Sequence, residues 1–147
     1  MKLVVQRVSS ASVDVKGTRM GQIGHGLLVY VGVHDSDELS HVEWMANKVC
    51  SLRIFPDEEG KMNRSVMDSG GEICMVSQFT LYADASKGTR PSFVHAARPE
   101  HAEPIYEALI QAVRDRGISV STGSFGVMME VSSVNSGPVT ILLEKGT

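Results

Sequence analysis

The chain of 147 residues reads as one α+β domain, spanning 1–147, in which a mostly antiparallel sheet curls towards a barrel and carries two main helices. Three observations lead there. Short β-branched runs bounded by glycine, proline and polar turns recur along most of the sequence, which is the pattern of strands. Two stretches carry apolar residues at the three- and four-residue spacing of an amphipathic helix. Strands therefore dominate the element order without a regular strand-helix alternation.

Lys2 to Ser10 is the first strand, with Leu3, Val4, Val5 and Val8 giving it β-branched character. Arg7 is a charge within it, either a solvated side chain or a support for a neighbouring carbonyl or turn. Ala11 to Val15 alternates, Lys16-Gly17-Thr18 turns, and Arg19 to Ile23 returns, which is a hairpin signal. Leu27 to Val33 is a continuous apolar run, the mark of a strand buried on both faces. Gly24-x-Gly26 before it is no dinucleotide fingerprint, because Val29 stands where the third glycine belongs.

Ser36 is a good N-cap, and Leu39, Val42, Met45, Val49 and Leu52 follow with helical spacing, so a helix is expected over 36–51. Trp44 on it is a packing residue. Leu52 to Phe55 is a short strand, and Pro56 to Gly60 an acidic turn. Lys61 to Gly71 is irregular, with Met62 and Val66 tucked beneath. Glu72 to Leu81 is a strand closed by Ser77-Gln78-Phe79-Thr80. Asp84 to Arg98 is a long irregular segment holding Lys87, Arg90 and Arg98, a basic rim in an acidic chain. The second helix ends near Arg116, with Gly117 at the C′ position, and starts either at about Ala102 or earlier with a kink at Pro104. Ile118 to Ser121, Val127 to Ser133 and Val139 to Leu143 close the sheet. Between the last two, Asn135-Ser136-Gly137-Pro138 reads as a tight turn or a bulge, because proline cannot donate to a central ladder.

Net charge is −3, which argues against gripping long nucleic acid by its phosphates but leaves a nucleic-acid end open. Cys50 and Cys74 lie in apolar surroundings without CxxC spacing, as reduced thiols of a cytoplasmic protein do. No leader segment and no apolar run long enough for a bilayer is present, so no membrane association is expected. The histidines lack paired ligand spacing, so neither a metal nor another cofactor is expected. A phosphate loop, an HExxH helix and a G-x-S-x-G elbow are all missing. What remains is Ser77-Gln78-Phe79-Thr80, with two hydroxyls, an amide and backbone N–H groups at a strand end.

Val76 to Asp84 (Val-Ser-Gln-Phe-Thr-Leu-Tyr-Ala-Asp), the following Lys87-Gly88-x-Arg90-Pro91-Ser92-Phe93, and Val134-Asn135-x-Gly137-Pro138-Val139-Thr140 together closely resemble the D-aminoacyl-tRNA deacylase family. Val4 to Ala11, Gly26 to Val29, Leu52 to Phe55 and Gly123-x-Phe125-Gly126 match as well, so the similarity covers nearly the whole chain. Ser136, Val127, His95 and Arg98 depart from the family's usual residues.

The resemblance implies a homodimer that hydrolyses the ester of D-aminoacyl-tRNA, and of glycyl-tRNA charged in error, at the acceptor end. It implies that Gly137 and Pro138, joined by a cis peptide, project into the partner's site and reject L-amino acids, with Arg7 holding their turn. It places Ser77, Gln78, Phe79 and Thr80 on the catalytic wall. Backbone N–H groups around Gln78 and Phe79 are then the oxyanion donors. Thr80 is the candidate nucleophile; no base is evident beside it, and water assisted by the substrate's vicinal ribose hydroxyl is the alternative adopted here. Two rivals stay open: a related deacylase with a trans Gly-Pro and relaxed chirality, and a non-catalytic homodimer that binds RNA ends.

Overall fold

The computed structural model describes residues 1–146. β1 (Lys2–Val15) is the spine of the sheet, followed by β2 (Thr18–Ile23), β3 (Gly26–Gly32), α1 (Leu39–Ser51), β4 (Phe55–Pro56) and β5 (Met62–Arg64). Next come β6 (Glu72–Ser77), a 3-10 turn (Phe79–Tyr82), α2 (Pro99–Arg114), β7 (Val120–Thr122) and β8 (Glu130–Glu144). The main sheet runs β2-β1-β3-β6-β7, with β8 on the other side of β1.

Antiparallel pairings dominate, as the sequence implies, but β3–β6 and β6–β7 are parallel. The reason is connectivity. α1 lies between β3 and β6 and α2 between β6 and β7, and a helical crossover returns the chain in the same direction. β3 is buried on both faces. Leu27, Val29 and Val31 join the core beneath α1 and α2, while Leu28 faces a second cluster with Val8, Val13, Ile23, Cys74 and Val76. That second cluster is the inside of the curl. Its rim is nearly closed, because the Ser121 hydroxyl donates to the Gln22 carbonyl at 3.2 Å, which brings β7 to β2.

Several boundaries differ from those expected. α1 starts at Leu39 with Glu38 as N-cap, not at Ser36. The preceding residues are held in their own turn: the Asp37 N–H donates to the His34 carbonyl at 3.0 Å, and the Asp37 carboxylate is drawn inward by the Met1 ammonium at 2.7 Å. Leu52 to Ile54 forms no ladder; β4 starts at Phe55 and pairs with β5 as a small flap. Val66 is buried beneath this region, whereas Met62 is 54% exposed. β6 stops at Ser77 instead of continuing to Leu81. The Gln78 N–H donates to the Val31 carbonyl at 2.7 Å and the chain folds into the 3-10 turn. Gly32 permits that turn to sit against β3, since a Cβ there would lie 2.9 Å from the Leu81 Cβ.

α2 begins earlier than Ala102. Pro99 occupies the first helical position, where a missing N–H is harmless, and Pro104 is accommodated within the helix. The helix ends at Arg114, and Gly117, at φ +86°, completes the turn that follows. The two strands expected over 127–133 and 139–143 are one. β8 runs through the Gly-Pro pair, which makes that pair a bulge and not a hairpin turn. Val8 faces Asn135 and Gln6 faces Thr140, so Arg7 alone stands opposite the four residues Ser136 to Val139. Val127 to Met129 stay outside the strand.

Candidate active site

Ser77 ends β6, and the 3-10 turn then carries Phe79 and Thr80 outward. Ser77, Gln78 and Phe79 line a cavity of about 670 Å³. Phe93 and Ala96 of the long loop form one side, and the segment from Phe125 to Met129 forms another. The walls are mainly apolar, with Ser77 and Gln78 the polar exceptions among these residues. Phe79 and Phe93 meet edge to face with ring centroids 5.1 Å apart. Both are partly open to solvent, at 55% and 38%, which makes an aromatic lip able to hold a flat ring.

Each of the four wall residues has a distinct situation. The Gln78 backbone N–H is consumed by the Val31 carbonyl, so it is not an oxyanion donor, contrary to the expectation from the motif. The N–H groups of Phe79 and Thr80 open the 3-10 turn and have no intrahelical acceptor. The Gln78 side-chain amide donates to the Thr80 hydroxyl oxygen. Among the described residues, no histidine or carboxylate is hydrogen-bonded to the Ser77 or Thr80 hydroxyl, so neither has a base to activate it. Displaced proton affinities lie elsewhere. Burial pushes the Cys74 thiol up to about 11 and raises the Tyr106 phenol, whose hydroxyl donates to the Met75 carbonyl.

The Gly137-Pro138 peptide is cis, and Gly137 has φ +145°. A Cβ at 137 would fall 2.7 Å from a Val139 methyl and 2.9 Å from the Val139 nitrogen, so the position requires glycine. Arg7 is half-buried and its guanidinium is engaged by two carbonyls. Its Nε donates to the Ser136 carbonyl at 2.9 Å and its Nη1 to the Ile54 carbonyl at 2.7 Å. A second support was not foreseen. The Asn135 amide accepts from the Val139 N–H at 2.8 Å and donates to the Val139 carbonyl at 3.1 Å, pairing like a strand across the base of the excursion. The signal was present, since asparagine two residues before a Gly-Pro is a turn-capping residue.

Within one chain the two motifs do not meet. Gly137 and Pro138 are exposed on β8 and do not line the cavity that Ser77, Gln78 and Phe79 share. Thr80 sits on the exposed side of the turn. The apolar segment from Phe125 to Met129, which sequence reading treated only as a turn and strand, supplies much of the wall, and its Met128 is 91% exposed. Lys87, Arg90 and Arg98 are exposed, as expected for a rim. No helix among the described residues is long and apolar enough to cross a membrane.

The cavity is thus mainly apolar, the 3-10 turn that opens at its Phe79 begins with N–H groups that have no intrahelical acceptor, and among the described residues no histidine or carboxylate is bonded to the Ser77 or Thr80 hydroxyl. The sequence matches the family described as D-Tyr-tRNA(Tyr) deacylase over residues 4–144. It is 55% identical over 144 residues to D-aminoacyl-tRNA deacylase of Brevibacillus brevis, covering 98% of this chain and 99% of that protein. It is 56% identical over 145 residues to D-aminoacyl-tRNA deacylase of Opitutus terrae, covering 98% and 97%. Among solved structures, c-Myc DNA Unwinding Element Binding Protein superposes with a TM-score of 0.94 at 43% identity, covering 100% of both chains. A probable eukaryotic D-amino acid tRNA deacylase gives 0.83 at 16% identity over 97% of both, a likeness of fold alone. The chain belongs to the D-Tyr-tRNA(Tyr) deacylase family.

Proposed function

We propose that this chain is a D-aminoacyl-tRNA deacylase that cleaves the ester between a D-amino acid, or glycine, and the terminal adenosine of tRNA in the cytoplasm. The observation that carries the reading is the family match from residue 4 to residue 144, which includes every residue of the cavity and of the Gly-Pro excursion. The terminal adenine packs against the aromatic lip of Phe79 and Phe93. The ester carbonyl lies beside the Phe79 and Thr80 N–H groups, and each such donor is worth roughly 3–4 kcal/mol to the transition state. Water adds to the carbonyl carbon, the carbon-oxygen bond to ribose breaks, and the ribose oxygen leaves carrying a proton. The neighbouring ribose hydroxyl assists the water, since the chain offers Thr80 and Ser77 no base.

Chirality is read by the Gly137-Pro138 excursion of a second copy. Its carbonyls accept from the substrate ammonium and crowd the position where an L side chain would stand. Three features support a homodimer with shared sites. The excursion is exposed and lies outside its own chain's cavity. Among the described residues β8 pairs only with β1, leaving its outer edge open. Val134 and Leu142 on that strand are 57% and 71% exposed. Glycine passes because it has no side chain to reject.

Hydrolysis of D-tyrosyl-tRNA compared with L-tyrosyl-tRNA tests the reading. Cleavage of the D ester alone is expected. Survival of both esters would favour an RNA-end binder without catalysis, and cleavage of both would overturn the chirality filter. A Thr80→Val variant that bound substrate normally but had lost all turnover would overturn the assignment of water as attacking group.

A further inference from the structure

A second cavity of about 400 Å³ is lined by Lys2, His34, Tyr82, Asp84, His95 and Lys145 among others. Neighbouring residues of the same segments line the two cavities. Val33 lines the first cavity and His34 the second; Ala96 lines the first and His95 the second. Phe79 opens the 3-10 turn into the first, and Tyr82 closes it into the second. The hydrolysis outlined above uses no group from this second cavity.

Its chemistry is nonetheless specific. The His34 and His95 rings lie parallel within 10°, with centroids 5.9 Å apart, and Tyr82 meets His34 edge-on at 5.2 Å. The Lys2 ammonium sits 4.8 Å over the Tyr82 ring and 3.8 Å from the exposed Glu144 carboxylate, which also lines the cavity, while the Lys145 ammonium is turned over the Trp44 ring at 5.1 Å. Asp84 supplies a carboxylate. It accepts from the Ser86 N–H at 2.9 Å and from the Ser86 side chain, which fixes the group, and a carboxylate's four lone-pair sites leave room for a further donor. Asp84 also roots the basic loop, because its bridge to Ser92 brackets Lys87 and Arg90.

We propose that this cavity is a nucleotide subsite that takes the cytidine immediately preceding the terminal adenosine. The proposal rests on the deacylase reading, which places that adenosine in the adjoining cavity. Single-stranded RNA is held by aromatic and imidazole planes that stack its bases and by lysines that meet its phosphates. A carboxylate accepts from the exocyclic amine of cytosine, a donor that uracil lacks. The stacked histidines, Lys2 and Asp84 provide these three functions. The size suits one nucleotide, and the two ends of one 3-10 turn, Phe79 and Tyr82, line the first and the second cavity. Such a subsite lets an acidic protein recognise a tRNA end without gripping the duplex.

The test is calorimetric titration of the intact protein with the RNA trinucleotides CCA and CUA and with adenosine monophosphate. CCA is expected to bind about tenfold more tightly than CUA, the scale of one good base contact. His95→Ala should weaken CCA by a similar factor of about ten while leaving adenosine monophosphate unchanged. Lys2→Gln should weaken both trinucleotides alike and reduce the salt slope by about one phosphate contact. Equal binding of CCA and CUA, or a His95→Ala protein that binds CCA as the parent does, would overturn the proposal. These readouts need no turnover. Loss of D-tyrosyl-tRNA cleavage with the CCA preference intact would sink the deacylase reading and leave the subsite standing.

Discussion

Replacing Arg7 separates stability from catalysis in a way that can be worked out from its two bonds. The guanidinium spans two carbonyls that belong to different parts of the chain, Ile54 ahead of the β4 flap and Ser136 at the start of the excursion. The bond to Ile54 is partly buried and the bond to Ser136 is exposed. A hydrogen bond from a charged group contributes about 1.5–3 kcal/mol when shielded, and less where water competes, so Arg7→Ala should cost about 2–4 kcal/mol. In a chain of this size each kcal/mol moves Tm by about 2–4 °C, which gives a fall of about 5–15 °C. Arg7→Lys is the informative variant. An ammonium is a point donor and cannot hold both carbonyls in the directions that a planar fork does. It should keep the shielded bond to Ile54 and lose the one that fixes Ser136. We expect about half the stability loss, together with a fall in kcat/KM for D-tyrosyl-tRNA of about 10–100-fold, equivalent to about 1.4–2.7 kcal/mol of lost transition-state interaction. Urea unfolding gives the first quantity. Single-substrate hydrolysis at a temperature where both proteins are folded gives the second. An Arg7→Lys enzyme with parental kcat/KM and parental D-to-L ratio would refute the argument that Arg7 acts through the Ser136 carbonyl.

Three further outcomes follow from the same geometry. Asn135→Ala removes the paired bonds to Val139 and should lower stability by about 1–3 kcal/mol; because the excursion loses its base, the D-to-L hydrolysis ratio should fall as well, and an unchanged ratio would confine Asn135 to a purely structural role. Asp37→Asn leaves the Met1 ammonium without its counter-charge in a fully buried setting, and denaturant unfolding should register a loss of about 3–5 kcal/mol. Cys74 titrates higher folded than unfolded, from 9.0 to about 11, because of burial. The folded state therefore holds its proton longer, and the stabilisation it gives is complete below pH 9 and lost as pH rises towards 11, by about 2–3 kcal/mol. Urea midpoints measured across that window should decline, and Cys74→Ala should flatten the decline.

The residues that sequence reading placed well are those whose environment is set by near neighbours. The apolar run of β3 is buried on both faces because helices cover one side and the curled sheet the other, and an unbroken Leu-Val pattern encodes both demands. The spacing of Leu109, Ala112 and Val113 likewise fixes the inward face of α2. What failed was decided by partners distant in sequence. Ser36 has the right chemistry for an N-cap, yet Asp37 is drawn into a buried pair with the Met1 ammonium, and the helix waits until Leu39. Gln78 matches the family motif, yet its N–H belongs to Val31 on the adjacent strand. No local pattern encodes either competition. The same limit governs the site. The sequence names Ser77 to Thr80 and Gly137-Pro138 as two halves of one constellation, because residue types and order are all that a motif records. Only three-dimensional placement shows that the second half is exposed on β8 while Ser77, Gln78 and Phe79 of the first line a pocket that it does not reach. A motif does not record which copy of the chain a residue serves. The separation within one chain is therefore an argument that motif matching could not supply, and it is the reason the proposed filter requires a second copy.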